Sequence, residues 1–269
     1  MNRRIKEEVD EYFALGAIAR PGDVVFDVGA NIGAFADNVA ARCHGDVNLY
    51  CFEPVPQIFD RLSARFSAQP LLRDTAHQLI NAGLTHKANP RTIAFSYFHR
   101  FHTDSTYDIV AKRAQFLAAF RAAGSRADAR TQTLLPGPVG RWFGRWLERL
   151  VSAMPRGRLG EIVTDWVTGR VEVECAVTTL SEVVREHQVD HIDLLKIDVE
   201  GAELDVIRGG DASTWDRVHQ VVLEGHSSHG RLFETARFLR DRGLRIRQVV
   251  RPEDARRQGL DNYLLRATR

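Results

Sequence analysis

The sequence is poor in cysteine, lacks long apolar runs and carries almost no excess charge. Its 269 residues include three cysteines, an odd number without metal-site spacing, and we expect Cys43, Cys51 and Cys175 to be buried free thiols in a reducing cytoplasm. No apolar run approaches the roughly 18 residues that a membrane helix needs, and the N-terminus lacks the apolar segment of a signal peptide. A net charge of +2 is too small to indicate a nucleic-acid partner. These absences predict a soluble cytoplasmic protein.

Length and hydrophobic content suit one large domain. With 269 residues, 44% of them hydrophobic, the chain is long enough for a single α/β domain with an insertion. We predict one domain over residues 1–269, beginning with an N-terminal helix within residues 1–20. Helical periodicity occurs in residues 3–19, 32–41, 56–68, 179–187, 204–208 and 230–243. Strand-like runs occur in residues 24–27, 47–52, 77–84, 91–98, 171–177, 220–223, 245–250 and 262–267.

The first motif is a glycine turn between a strand and a helix, with an acidic residue further on. Asp27 ends an apolar run, and Gly29 and Gly33 then allow a ligand to approach the backbone closely because neither has a Cβ atom. Glu53 ends the next apolar run, twenty residues after Gly33. An acidic residue at that position is placed to accept hydrogen bonds from both ribose hydroxyls. The pairing predicts a nucleoside-type ligand.

The turn lacks one glycine that a dinucleotide-binding fingerprint requires. Two residues after Gly29, where that fingerprint has glycine to admit a pyrophosphate, the chain has Asn31. A ligand with a ribose and no pyrophosphate suits this turn better, and S-adenosylmethionine is the obvious one. Asp27 would then face the amino group of its methionine part, and the alternative is that Asp27 caps the turn through local hydrogen bonds.

The second motif, residues 193–204, runs from a buried strand through a turn into a helix. Lys196, Asp198 and Glu200 are two residues apart, a period that places them on one side of an extended segment. The carboxyl ends of strands are where open α/β sheets bind and transform ligands. The alternative is structural: Lys196 pairs with Asp198, while Glu200 and Glu203 favour the positive end of the following helix.

Together these motifs resemble the FkbM family of S-adenosylmethionine-dependent methyltransferases. The resemblance rests on Asp27-x-Gly29-x-Asn31-x-Gly33, Phe52-Glu53-Pro54 and the segment from Lys196 to Glu203, and it covers roughly residues 21–106 and 171–226. It implies a class I methyltransferase fold, a Rossmann-like α/β architecture in which a mostly parallel seven-stranded sheet ends in an antiparallel strand. It also implies O-methylation, often of a sugar or natural-product hydroxyl. Pro54, Asn81 and Asp198 complete the predicted cofactor set.

Methyl transfer to a hydroxyl also requires a place for the proton. Asp198 follows one strand end, and the next strand brings Glu224 and His226 to the same rim. His226 is the natural general base because imidazole titrates near neutral pH, although it can equally be a loop histidine bonded to backbone. Alternatively, Asp198 and Glu224 hold Mg²⁺, which favours carboxylate oxygens.

Residues 108–170 match nothing recognised in the family. They contain ten arginines against five acidic residues, and Arg141, Arg145 and Arg149 form a basic stripe at helical spacing. We interpret this insertion as a lid over the acceptor that offers cations to an anionic group. The alternative is a solvated basic face whose aromatic side packs on the domain. His99, His102 and the turn at residues 104–106 are further candidates for the acceptor wall.

Two other functional classes stay open. A nucleic-acid methyltransferase usually has an Asp/Asn-Pro-Pro-aromatic turn, and this chain instead has Asp198-Val199-Glu200-Gly201. A catalytically inactive interaction domain would tolerate loss of the cofactor turn, yet its residues are all present. The sequence therefore favours an O-methyltransferase with a small-molecule or glycan acceptor.

Overall fold

The computed structural model describes residues 3–87, 89, 91–98, 170–226, 230–252 and 262–269. The predicted insertion, apart from Arg170, lies outside the described residues, as do His99, His102 and the turn at residues 104–106. Among the described helices, none has both the length and the apolar character needed to cross a membrane. Cys43, Cys51 and Cys175 are buried and free, as predicted.

Helices and strands alternate along most of the described chain. The helices are α1 (Arg3–Ala14), α2 (Ala34–Arg42), α3 (Pro56–Ala68), α4 (Pro70–Asp74), α5 (Leu180–Glu186), α6 (Glu203–Arg208), α7 (Ala212–Trp215) and α8 (Arg231–Asp241). The strands are β1 (Val24–Val28), β2 (Asn48–Phe52), β3 (Ala76–Ile80), β4 (Gly83–Leu84), β5 (Thr92–Phe98), β6 (Arg170–Thr178), β7 (Leu194–Ile197), β8 (Gln220–His226), β9 (Arg245–Val250) and β10 (Asn262–Thr268).

Seven of these strands form one sheet in the order β3-β2-β1-β7-β8-β10-β9. All neighbours are parallel except β10, which runs antiparallel to both β8 and β9. This arrangement confirms the predicted mostly parallel sheet with an antiparallel last strand. The strand order reverses direction between β1 and β7, so a crevice opens beyond their carboxyl ends. Strands β4, β6 and β5 form a second, smaller sheet.

Each central strand faces two different cores. Phe26 and Leu195 belong to one buried apolar cluster, while Val25 and Leu194 belong to the other. Successive side chains alternate between faces, so the near-continuous apolar sequence of β1 and β7 follows from burial on both sides. The second cluster also contains Tyr12 of α1 and residues of α2. Polar side chains at the strand ends on that face therefore lie beneath α1 and α2.

Local signals account for several boundaries. Helix α3 spans residues 56–68 as predicted, and α5 begins with a capping box, in which Thr179 and Glu182 exchange hydrogen bonds with each other's backbone. Gly243, with φ +84°, follows the end of α8. The sequence did not predict the short helices α4 and α7.

Two predicted boundaries are wrong. Helix α1 ends at Ala14 rather than at residue 19, and Gly16 in the following turn adopts φ +92°. The predicted strand over residues 77–84 divides into β3 and β4, which belong to different sheets. The strand breaks at Asn81, whose side chain donates hydrogen bonds to the Glu53 and Pro54 carbonyls that follow β2.

Candidate active site

A buried ion pair joins the carboxyl ends of β1 and β7. The parallel register places Asp27 directly beside Lys196, and Lys196 Nζ lies 3.0 Å from Asp27 Oδ1. Both side chains are buried, and neither Asp27 oxygen has a hydrogen bond of good geometry within the described part of the chain. Lys196 Nζ also donates a hydrogen bond to the Gly29 carbonyl at 2.8 Å. The ammonium therefore compensates the buried carboxylate and ties the glycine turn to β7.

The charge of Lys196 is maintained by its surroundings. Burial alone would lower the pKa of this ammonium, but the carboxylates of Asp27 and Asp198 outweigh burial, and the pKa is raised above its ordinary value. Lys196 is therefore a fixed cation rather than a proton acceptor.

Asp198 follows β7 and lies at the end of the same sheet face. Its Oδ2 atom is 3.6 Å from Lys196 Nζ and accepts a hydrogen bond from the Tyr12 hydroxyl at 3.1 Å. Its backbone N–H donates to the Val28 carbonyl at 3.0 Å. The side chain is 32% exposed, so a bound ligand can reach this carboxylate.

Glu224 reaches the same point from β8. Its Oε2 atom is 3.4 Å from the Tyr12 hydroxyl, and its Oε1 atom accepts a hydrogen bond from Asn262 Nδ2 at 3.0 Å. The predicted meeting of the Asp198 and Glu224 side chains is thus observed. His226 ends β8 opposite Asn262, and its side chain lies outside what the structure describes.

Sequence reasoning missed Tyr12 and Asn262. Tyr12 lies three residues after Val9 on the apolar side of α1, where it is typical of core packing. Asn262 begins a strand and carries no motif. A polar side chain on an apolar helix face was the available signal for Tyr12, while nothing in the sequence distinguished Asn262.

The glycine turn is held by hydrogen bonds within the chain. The N–H groups of Gly29 and Ala30 donate to the Phe52 carbonyl at 3.1 and 2.9 Å. The N–H of Asn31 donates to Glu53 Oε2 at 3.1 Å, and that of Gly33 to the Ala30 carbonyl at 2.8 Å. Because these amides are already satisfied, the turn does not offer them to a pyrophosphate.

The two glycines are required by contacts between elements. Gly29 has φ +79°, and a Cβ atom there would overlap the Asp198 carbonyl oxygen. Gly33 has φ +82°, and a Cβ atom there would lie 2.8 Å from Leu62 Cδ1 of α3. The sequence predicted that a ligand approaches the backbone where these glycines lack a Cβ atom. In the structure, protein atoms occupy those positions instead.

Glu53 is a buried carboxylate beside that turn. Besides the Asn31 amide, it accepts the Val55 N–H at 3.0 Å. Burial raises its pKa to about 7 despite these two backbone hydrogen bonds. Asn81 Nδ2 donates to the carbonyls of Glu53 and Pro54, at 2.8 and 3.2 Å. Asn81 thus fixes the backbone that carries the carboxylate.

The turn after β7 departs from the predicted extended segment. The strand ends at Ile197, and Glu200 adopts φ +53°, so the prediction that Glu200 continues the alternation of Lys196 and Asp198 is wrong. Glu203 is buried and accepts the Gly201 N–H at 2.7 Å, and burial raises its pKa to about 7. Glu203 therefore stabilises the turn, in agreement with the structural alternative.

The donor set suits an organic cation better than Mg²⁺. Within the described ranges, no group of three or more His, Cys, Asp or Glu side chains is arranged to hold a metal ion. Asp198 and Glu224 already accept hydrogen bonds from Tyr12 and Asn262, and the Lys196 ammonium repels a divalent cation more strongly than a singly charged one. Three carboxylates against one ammonium nevertheless leave an excess of negative charge. A sulfonium and an ammonium on a nucleoside ligand fit that excess.

Comparison with known proteins gives consistent matches. The profile of the methyltransferase FkbM domain matches residues 27–246. The chain is 31% identical, over 87% of its length and 77% of the relative's, to the 31-O-demethyl-FK506 methyltransferase FkbM of Streptomyces tacrolimicus. It is 30% identical, over 97% of its length but 11% of the relative's, to the AMB antimetabolite synthetase AmbE of Pseudomonas aeruginosa. The FkbM methyltransferase structure from Methylobacillus flagellatus aligns with a TM-score of 0.47 at 14% identity, covering 97% of this chain and 50% of that chain.

A substitution at Gly29 tests the close contact between the turn and β7. In Gly29→Ala the new methyl group would overlap the Asp198 carbonyl, and we expect a loss of about 3 kcal/mol or more in the free energy of unfolding, measured by urea denaturation. Gly22→Ala is the control, because Gly22 also has a positive φ, +87°, but no atom lies within 4 Å of its Cβ position. That variant should lose only about 1–2 kcal/mol. Equal losses would contradict the close contact.

Proposed function

Because the chain belongs to the FkbM family of S-adenosylmethionine-dependent methyltransferases, we propose that it methylates a hydroxyl oxygen of a natural product, sugar or glycan. The observation that carries the proposal is the meeting of Asp198 and Glu224 at adjacent strand ends. The name of the Streptomyces relative, which specifies an O-demethyl substrate, supports oxygen as the acceptor atom.

Paired carboxylates suit a hydroxyl acceptor. An alcohol stays protonated at neutral pH and is a poor nucleophile, so the site must accept or polarise its proton. A carboxylate accepts hydrogen bonds and has no proton to donate when ionised. Asp198 is accessible enough to accept the hydrogen bond of an acceptor hydroxyl. It thereby orients the oxygen, and correct orientation supplies much of the rate of a displacement.

The predicted cofactor residues are part of the same proposal. When bound, S-adenosylmethionine supplies a methyl group that is activated by its sulfonium. In the proposed site Glu53 accepts hydrogen bonds from the ribose hydroxyls, and the turn from Gly29 through Asn31 to Gly33 forms the adjoining wall. Asn81 holds the backbone of Glu53 and Pro54 through their carbonyls, while Asp27 and Asp198 contribute negative charge opposite the cationic groups. Asp27 acts through the ion pair with Lys196, and its direct contact with the cofactor stays a prediction.

The proton is proposed to leave through the rim formed by Asp198, Glu224 and His226. Bound S-adenosylmethionine would supply the methyl group and leave as S-adenosylhomocysteine, and the proton of the acceptor hydroxyl would pass to a base on this rim. His226 is our candidate because an imidazole accepts a proton near neutral pH. Asp198 holds the acceptor, and Glu224 maintains the negative field beside it.

Product analysis tests this function directly. Purified protein incubated with S-adenosylmethionine and a panel of hydroxylated natural products and glycans should form S-adenosylhomocysteine and a product methylated on oxygen, identified by mass spectrometry and NMR. Methylation of nitrogen, carbon or nucleic acid instead would contradict the proposal.

Variants of the rim serve as controls in the same assay. We expect His226→Ala to lower turnover by about 10²- to 10⁴-fold, the usual contribution of a general base, and Asp198→Asn to lower turnover as well. Asp205→Asn, which alters a carboxylate on α6, should retain wild-type turnover. A chelator should have no effect, in keeping with the poor fit of the rim to Mg²⁺. Wild-type turnover in both rim variants would remove these side chains from the mechanism.

The assignment of Glu53 predicts a pH-dependent affinity. In the free protein its carboxyl group has a pKa of about 7, and hydrogen bonds donated by ribose hydroxyls favour the ionised form. Binding therefore releases protons near pH 7, so the affinity for S-adenosylhomocysteine should rise as the pH increases through that value. Isothermal titration calorimetry in buffers of different ionisation enthalpy measures both the affinity and the proton release.

The matched variants are Glu53→Gln and Glu186→Gln, the second altering an exposed glutamate of α5. Glu53→Gln should weaken binding by roughly tenfold above pH 7, the effect of losing a hydrogen bond to a charged group, and should lose the pH dependence. Glu186→Gln should bind as the wild type does. If Glu53→Gln keeps both the affinity and its pH dependence, the ribose lies elsewhere.

A further inference from the structure

Helix α1 contributes a hydroxyl to the rim although it lies outside the matched family domain. The family profile begins at residue 27, whereas α1 ends at Ala14. Tyr12 is buried, and its hydroxyl is 3.1 Å from Asp198 Oδ2 and 3.4 Å from Glu224 Oε2. The Tyr12 hydroxyl oxygen thus joins Asp198 and Glu224, which lie 186 and 212 residues further along the chain.

The position of Tyr12 is fixed by the packing around α1. Its ring meets the edge of the Phe35 ring with centroids 5.8 Å apart, and Phe13 stacks on the same Phe35 at 5.7 Å. The Arg42 guanidinium lies 3.8 Å from the centre of the Phe13 ring. After the helix, Gln220 both donates to and accepts from the backbone of Ile18, at 3.0 and 3.3 Å. The hydroxyl is therefore held in place from several directions.

The hydroxyl remains a hydrogen-bond donor at all ordinary pH values. Burial and the charges of Asp198, Glu224 and Asp27 raise the pKa of Tyr12 well above 10.0. A phenol has one proton, so it donates to either carboxylate or is shared between them. Two carboxylates close together repel each other and tend to retain a proton unless a donor or a cation lies between them. Lys196 supplies the cation on the Asp198 side, and Tyr12 supplies the donor.

We propose that Tyr12 is a positioning residue for methyl transfer, which holds Asp198 and Glu224 in the orientation that receives the acceptor hydroxyl. The proposal rests on the proposed function, because it assigns the orientation of the carboxylates to the binding of a hydroxyl. The charged groups that act on the Tyr12 hydroxyl are Asp27 from β1, Asp198 after β7 and Glu224 from β8. Lys196 of β7 is the cation that interacts with all three carboxylates. Docking of α1 is accordingly part of building the catalytic rim.

The variant Tyr12→Phe removes the hydroxyl and keeps the ring that packs on Phe35. We expect kcat to fall by about 10- to 100-fold, as for a displaced catalytic group, while KM for S-adenosylmethionine stays near its wild-type value. The acidic limb of the pH–kcat profile should move to higher pH, because the carboxylates then compete for a proton without a donor between them. Tyr263→Phe is the control, since it removes another buried hydroxyl, which donates to Thr235 at 3.5 Å.

The control should leave the pH profile unchanged. A Tyr12→Phe profile that matches the wild type, or the same change in both variants, would overturn the positioning role. A wild-type protein that methylates no hydroxyl would instead refute the proposed function, and the contact then has to be tested without an acceptor.

Tyrosine labelled with ¹³C at the ring carbon bearing the hydroxyl provides that acceptor-free test by NMR. The Tyr12 signal is assigned by its absence in Tyr12→Phe. Its chemical shift should remain that of a protonated phenol above pH 10.0, the ordinary tyrosine pKa. In the double variant Asp198→Asn/Glu224→Gln it should titrate at lower pH, because two negative charges are gone. Titration at the same pH in both proteins would show that Tyr12 does not face the carboxylates and would overturn the inference.

Discussion

A lysine ammonium buried between two strand ends is the interaction on which the rest of the site depends. Lys196 lies 3.0 Å from Asp27, 3.6 Å from Asp198 and 2.8 Å from the Gly29 carbonyl. Leaving a buried carboxylate without its partner costs about 3–5 kcal/mol. Strands β1 and β7 can therefore bring two acidic side chains together at this point only because Lys196 compensates them.

The same cation organises the walls on either side. Lys196 donates a hydrogen bond to the Gly29 carbonyl and so holds the glycine turn. The N–H groups of Gly29 and Ala30 in turn bond the end of β2. Glu53, on the ribose side of the proposed site, follows that strand directly. On the other side Asp198 is placed within reach of Tyr12 and thereby of Glu224. The proposed cofactor wall and the proposed catalytic rim are thus joined by one chain of hydrogen bonds and ion pairs, and α1 covers the rim on that face of the sheet.

How far the sequence predicts this arrangement depends on whether a feature is local. Apolar runs, helical periodicity and the glycine turn are local, and they predicted most of the strands and helices. The family resemblance predicted a mostly parallel seven-stranded sheet with an antiparallel last strand. The positions of Asp198 and Glu224 at the ends of successive strands predicted that they share one rim. Tyr12 and Asn262 were missed because their roles arise when distant segments pack together. Glu200 was misplaced because its own backbone is left-handed, with φ +53°, which ends the alternation that the spacing implied.

The most direct test of this account is a double-mutant cycle on the buried ion pair, measured by urea unfolding of the cofactor-free protein. Lys196→Met leaves Asp27 buried without compensation and should lower the free energy of unfolding by about 3–5 kcal/mol. Lys196→Met/Asp27→Asn removes both charges and should recover most of that loss, since replacing a whole buried pair is far less costly than breaking it. Additive losses from the two substitutions, or a Lys196→Met protein as stable as the wild type, would contradict the central role of the pair.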